Sequence, residues 1–504
     1  MESVLNKLAL ASIALCAFSA HAQLNKHSES VADYAVNNYQ NAQVHTLTNL
    51  VSFPTVNKSE ISAPQNPDFI GFKALLKMKA AELGFDYQDL GYTVLIGMGE
   101  QKEKVTIVTH GDVQPANASK WKQSPFIIDT SEPGKLVGRG TEDDKGAIAT
   151  ALYAMKAIKD KAIKDKGITL DNRIELMVYL AEESDWGPLT EFMKTYQQPK
   201  YAITIDASYP VVVAEKGWSL IAPTFDATSP QTGVYVSNVT GGAFASQIPE
   251  DASLTLHNAS PELVAQLKQT AKVLKQVEFT FDDQTDGTLI SVKGMSAHSS
   301  EPESGVNAIA YLAELFKAVE LENNSDGQLI KFVNQLIGLD IHGKQFGEIA
   351  YEHNFMGPMT VAPTVIEREG NNLTLAVNAR RPMGKEADLL KQQINSALTQ
   401  WQADNKVTLA NVKTTIGTPM LLDDAPHAQK LLDIFKHFTG DQDADFVSIG
   451  GGTNAKLFDN AVSFGPSMPG KRYTGHSEHE FITLEQLALN LRMYTAMMIE
   501  LGNM

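Results

Sequence analysis

The 504-residue chain holds one cysteine, Cys16. That excludes a disulfide framework and any thiolate metal site. Positive charge is short too: 42 Lys+Arg against 59 Asp+Glu gives 42 − 59 = −17. A phosphate backbone must be met by a Lys/Arg surplus, so this balance argues against nucleic-acid binding. Beyond the N-terminus no apolar run is long enough to span a membrane, and no longer-period repeat is visible. What remains is ordinary globular material, 43% hydrophobic and 20% charged, of a length that suits about two to four domains.

Met1–Lys7 is short and near-neutral, Leu8–Ala20 is small and apolar, and Ala20-His21-Ala22 offers the small-x-small pattern of a signal-peptidase site. A run of about thirteen residues is too short for a spanning helix. Met1–Ala22 therefore reads as a secretory signal, leaving Gln23 as the mature N-terminus. A lipid anchor on Cys16 is discounted because Leu15 before it is not small. Removal leaves 504 − 22 = 482 residues without cysteine. The expectation is an exported, periplasmic protein without a membrane anchor.

The chain reads as an α/β protein: a mainly parallel central sheet flanked by helices, with an inserted α+β domain. Val31–Val51 and Phe72–Leu83 have helical spacing, the second with Gly84 as its cap. Val105–Thr109, Ile174–Ala181 and Ala202–Ile205 are apolar runs that read as buried strands, and Lys145–Lys161 is an Ala-rich helix. The tandem KAIKDKAIKDK at Lys156–Lys166 reads as a solvated charged face. After Gly217 the texture changes to short alternating stretches such as Gly233–Asn238 and Ala252–His257. A helix is expected through Ile309, Leu312, Phe316 and Val319, and a strand at Leu373–Val377. Helical patterns return at Ala428–Phe438 and Leu484–Leu501. The division is 1–22 signal, 23–216 and 419–504 catalytic layer, and 217–418 inserted domain.

The chemistry sits where strands end. THGDVQP places His110 and Asp112 past one strand, and LAEESDWGP places Glu182 and Glu183 past another. ITIDASYP ends a third at Asp206, GRGTEDDKG holds Asp143 and Asp144 before a helix, and GHSEHEFI carries His476. Ligands bind beyond the carboxyl ends of strands in open α/β sheets. Singly, each has a plain structural reading: a hydrogen-bonded histidine, a helix cap, a solvated acid, a turn starter. Jointly, acids and imidazole at successive strand ends are a donor set for zinc, cobalt or manganese.

These five blocks, in order, resemble the zinc-dependent M20 metallopeptidases, and AEESDW followed by DASYPVVVAEKG looks most like their bacterial dipeptidase branch, the Xaa-His or carnosinase-like type. The resemblance implies two Zn2+ per chain, with Co2+ or Mn2+ as substitutes. His110 and Asp206 would hold one ion, Glu183 and His476 the other, and Asp143 would bridge. Asp112 would fix the His110 ring, and Glu182 would be the general base. In the insertion, KGMSAHSSEP implies His298 as oxyanion stabiliser. VNARRPMG implies Arg380 as the grip on the substrate carboxylate, Arg381 facing away. The Gly450–Thr453 loop, through Gly451 and Thr453, implies a substrate-site lining. Two positions depart from the family pattern. His479 stands before Glu480 where many relatives have Asn, and so is a competing donor to His476. Ser246 stands where dipeptidase relatives often carry a substrate-contacting Asn. The implied activity is hydrolysis of dipeptides or short peptides with a free C-terminal carboxylate. The alternatives are an N-acyl-amino-acid deacylase or a non-catalytic exported binding protein. The partner is a small peptide, and a monomer is favoured without the oligomeric state being decided.

Overall fold

The computed structural model describes residues 24–165 and 169–504. The segment read as a signal, with Cys16, lies outside the described residues, as does Lys166 at the end of the charged duplication. The first helix, Lys26–Val51, is capped by the Asn25 side chain and buries Val31, Ala32, Ala35, Leu47 and Leu50 along one face. The second spans Pro67–Leu83, starting a turn before its apolar pattern does. There the Asn66 side chain accepts from the Asp68 N–H and Pro67 occupies the first turn. Gly84 ends it at φ +76°, where a side chain would be strained.

Among the described residues the main sheet has nine strands. Lys104–His110 lies at its heart, parallel to Arg173–Tyr179 on one side and Tyr201–Thr204 on the other. Val462–Ser463 continues the parallel run beyond Tyr201–Thr204. Antiparallel strands extend the sheet at both margins: Thr93–Met98 against Arg173–Tyr179, and Met420–Leu421 against Val211–Glu215. The parallel heart is what the apolar runs imply, and the mixed margins are the structure's addition. Helices Lys26–Val51, Lys145–Asp165 and Leu484–Gly502 pack on one another over one face. The alanines of the middle helix, Ala147, Ala151 and Ala154, are fully buried, so its backbone can approach its neighbours closely.

A second core lies between residues 221 and 409, separate from the sheet's core. One of its sheets is ordered Thr360–Glu369, Asn372–Arg381, Gly217–Phe225, Asn411–Ile416, all antiparallel. The other contains Tyr235–Gly241, Asp251–His257, Gly287–Lys293 and Glu278–Gln284. Phe225, Phe332 and Trp401 pack edge-to-face in the interior. The helix expected through Val319 stops at Leu315, so Val319 lies beyond it. The chain enters this region at Gly217 and leaves at Gly417. An ideal Cβ on Gly217 would lie 2.3 Å from the Gly417 carbonyl oxygen, so the two crossings touch backbone to backbone. Among the described residues no helix is long and apolar enough to cross a membrane.

Candidate metal centre and cleft

Three parallel strands deliver the first residues to one edge of the sheet. His110 closes Lys104–His110 in register with Tyr179, and Glu182 and Glu183 follow Tyr179 by three and four residues. Asp206 follows Tyr201–Thr204. Asp143 comes from the turn before helix Lys145–Asp165, and His476 from a loop at φ +61°. That backbone conformation is uncommon for a residue with a Cβ and is typical of functional sites. The side chains converge. Asp143 Oδ1 lies 2.9 Å from His110 Nε2, and Asp143 Oδ2 lies 3.2 Å from His476 Nε2. Asp206 reaches His110 Nε2 at 3.5 Å, and Glu183 reaches His476 Nε2 at 2.7 Å. Glu182 borders the half made by His110 and Asp206, and their ligand atoms fall within 4.8 Å of one another.

The electrostatics of this cluster fit a divalent cation. Among the described residues, the ion-pair contacts of Asp143, Asp206 and Glu183 run only to the two histidines. Burial, with Asp143 and Glu183 nearby, pushes Asp206 up to about 6 despite the favourable His110. Burial and the Asp206 charge push Glu182 well above the usual carboxylate range. For His476, burial opposes the charge, yet Glu183 and Asp143 raise it to about 10. Anions crowded out of water pull protons toward themselves, and a bound cation answers the same demand. Carboxylate and imidazole donors suit zinc, cobalt or manganese.

Asp112 does more than the sequence suggests. His110 Nδ1 faces the Asp112 backbone carbonyl at 3.0 Å, nearer than the carboxylate at 3.6 Å. The carboxylate instead accepts the backbone N–H groups of Glu182 and Glu183, each at 3.1 Å, and the Asn57 amide at 2.8 Å. It therefore sets the turn that points the two glutamates.

The inserted region supplies the opposite wall of a cavity of about 580 Å³ lined by Asp143, Glu182, Glu183, Asp206 and His476. His298, Ser246, Arg380, Gly451 and Thr453 line it as well. The His298 ring lies 4.4 Å from that of His476. Burial, His476 and Arg380 hold His298 well below the ordinary imidazole value, so it is neutral. The Ser300 backbone N–H donates to His298 Nδ1 at 3.1 Å, which leaves the ring proton on Nε2. Arg380 donates to Asn378 Oδ1 and Ser299 Oγ, both at 2.9 Å, and is almost fully buried, with no carboxylate pair among the described residues. Burial lowers it to about 9, with Glu182 opposing. Arg381 faces away, donating to the carbonyls of Gly417 and Lys385. Ser246 accepts weakly from Gln114 at 3.4 Å. His479 is exposed and outside the cluster, which removes it as a competitor of His476.

Several residues escape a reading of the sequence. Tyr473 donates its hydroxyl to Asp143 Oδ2 at 2.6 Å. Fully buried Glu480 pairs with Arg139 at 2.8 Å and accepts the Glu142 and Asp143 backbone N–H groups. Buried Glu215 takes both the N–H and hydroxyl of Thr453, at 2.9 and 2.6 Å, tying the glycine loop to the sheet. Gly450 is required because Ser300 O lies 2.2 Å from where its Cβ would be. Only Glu480 carried a signal, as the acid in the block around His476.

A family model described as peptidase family M20/M25/M40 matches residues 106–500. Among curated relatives, a Beta-Ala-Xaa dipeptidase of Lactobacillus delbrueckii subsp. lactis is 26% identical over 420 residues, covering 83% of this chain and 86% of that one. A putative dipeptidase, YtjP, of Bacillus subtilis is 27% identical over 435 residues, covering 85% and 89%. The solved structure of human carnosine dipeptidase 1 superposes with a TM-score of 0.59 at 15% identity, covering 95% of this chain and 99% of that one. At that identity the likeness speaks to the fold.

Proposed function

The chain belongs to peptidase family M20/M25/M40 and is an enzyme that hydrolyses peptides, and on that premise we propose that it is a two-metal dipeptidase for substrates with a free C-terminal carboxylate. One observation carries the reading: the two oxygens of Asp143 face two different imidazoles, His110 and His476. His110 and Asp206 would hold one zinc ion, Glu183 and His476 the other, and Asp143 both. Bound there, such a pair lowers the pKa of a water and polarises the scissile carbonyl.

The chain's own residues perform the remaining work. Glu182 takes a proton from the attacking water and passes it to the leaving amine. Its raised proton affinity suits a group that must hold that proton between steps. Asp112 keeps Glu182 and Glu183 pointed apart through their backbone N–H groups. His298, neutral with its proton on Nε2, donates to the oxygen that gains charge as the carbonyl carbon becomes tetrahedral. Arg380, buried without a carboxylate partner, accepts the substrate's C-terminal carboxylate through its planar fork. We also propose that Met1–Ala22 directs export to the periplasm and is removed, supported by its apolar run and the Ala20-His21-Ala22 site.

The test is a hydrolysis screen of zinc-loaded mature protein on dipeptides against acetyl- and succinyl-amino acids, alongside elemental analysis. Dipeptide cleavage with about two ions per chain is the expected result. Turnover confined to the acylated amino acids would replace the dipeptidase reading with a deacylase. Mass spectrometry of the exported protein should begin at Gln23, and a retained Met1–Ala22 would overturn the export reading.

A further inference from the structure

We propose that Glu301 selects a substrate whose C-terminal residue carries a positively charged side chain. The proposal rests on the reading of Arg380 as the carboxylate clamp. Three residues of one short stretch of the inserted region, His298, Ser300 and Glu301, line the cleft, with buried Ser299 behind them. His298 stands beside His476, at the proposed metals, with ring centroids 4.4 Å apart. Ser299 accepts from Arg380 Nη2 at 2.9 Å, which places it at the carboxylate clamp. Ser300 packs its carbonyl against Gly450 of the glycine loop. Glu301 comes next and lines the same cavity. Glu301 is thus two residues from Ser299 on the clamp and in the wall of the same cavity, and is assigned to the side chain of the residue whose carboxylate Arg380 would hold.

The charge of Glu301 is not consumed by the protein. Its carboxylate has the Ser304 hydroxyl as a neighbour, and among the described residues it forms no ion pair. Burial and the charge of exposed Glu303 raise its carboxyl above the ordinary value, and a cation beside it would favour the charged form. The other cation of the cleft, Lys456, is already occupied: its Nζ donates to the Lys216 carbonyl at 2.8 Å and lies 3.7 Å from the buried Glu215 carboxylate. Beyond the metal cluster and Glu182, the cleft presents, among the described residues, an unpaired cation, Arg380, and a half-buried unpaired anion, Glu301. A C-terminal residue with a cationic side chain answers both, whereas an acidic one meets repulsion at Glu301.

The test compares kcat/KM for alanyl-lysine and alanyl-norleucine, which share chain length and differ in charge. The same pair is run as Nα-acetyl-lysine and Nα-acetyl-norleucine, so the ratio is read whichever amide the enzyme cleaves. A preference for lysine of at least about tenfold is expected, falling to about one in Glu301→Gln. Glu303→Gln, which removes nearby charge outside the cleft, should keep most of the preference. A ratio near one in the unmutated enzyme, or an unchanged ratio in Glu301→Gln, would overturn the proposal. Failure of the clamp itself shows up separately, as equal turnover of alanyl-lysine and its C-terminal amide.

Discussion

On the sheet side of the cleft, His110, Asp143, Glu183, Asp206 and His476 lie within hydrogen-bond reach of one another, acids and imidazoles in mutual contact. On the side of the inserted region, His298 and Arg380 are hydrogen-bonded to serine and asparagine groups. The first wall crowds more carboxylates than its two histidines answer, on side chains from the ends of parallel strands and from two neighbouring loops. The second leaves a buried cation and a neutral donor waiting for groups that only a substrate brings. On the proposed function, the metals and the base belong to one core, while the oxyanion donor and the carboxylate clamp come from the other. Each wall can therefore be disabled separately.

The deepest break should come from Asp143→Ala, which removes the one carboxylate shared by both halves of the sheet-side cluster. Both ions should be lost together and activity should fall below detection. Elemental analysis that still finds a full pair would contradict the bridging role. Next is Glu182→Ala, expected to keep the metals while kcat falls about 10²–10⁴-fold. Glu183→Ala should instead weaken metal retention, and swapped phenotypes would reverse the two assignments.

Arg380→Ala tests the other wall. It should cost about 30- to 1000-fold in kcat/KM on free dipeptides and nearly erase their advantage over C-terminal amides, with metal content unchanged. Equal turnover of a dipeptide and its amide by the unmutated enzyme would show that recognition does not reside there. Asp112→Asn keeps the shape but removes the charge that accepts the Glu182 and Glu183 N–H groups. A drop of about 10- to 100-fold in metal affinity or activity is expected. Smallest should be Tyr473→Phe, which deletes one hydrogen bond to Asp143 Oδ2 and should cost about tenfold or less in kcat. A larger loss than for Asp112→Asn would move Tyr473 from supporting Asp143 to touching the substrate.

The legibility of the two walls differs for a physical reason. VTIVTH reads as a buried strand because parallel strands covered on both faces are continuous apolar runs. Its terminal His110 and the acids after the neighbouring strands are then candidates by position alone. Strands such as Asp86–Asp89 and Phe446–Ile449 are short, half-exposed and at the margins, so they carry no comparable run. Arg380 was approachable only through the family block around it. Residue chemistry alone does not distinguish it from Arg381, and the alternation of strand Asn372–Arg381 sends the two to opposite faces. Glu215, Tyr473 and the further partners of Asp112 were illegible because their roles are hydrogen bonds to distant backbone and side chains.

The sequence by itself determined the α/β texture, the parallel strands that end in acids and histidine, and the family to which the chain belongs. Those are consequences of local patterning: apolar runs, caps such as Asn66, and short blocks whose residues are neighbours in the chain. Tertiary structure alone decided that Glu183 meets His476 across 293 residues, that Tyr473 rests on Asp143 across 330, and that Glu301 faces the cleft with no ion pair among the described residues. The first two meetings lie within the sheet's own layer, to which the chain returns through the touching crossings at Gly217 and Gly417, and the third sets the inserted region beside it. Side-chain pairing over that separation is set by packing geometry, which no local pattern encodes.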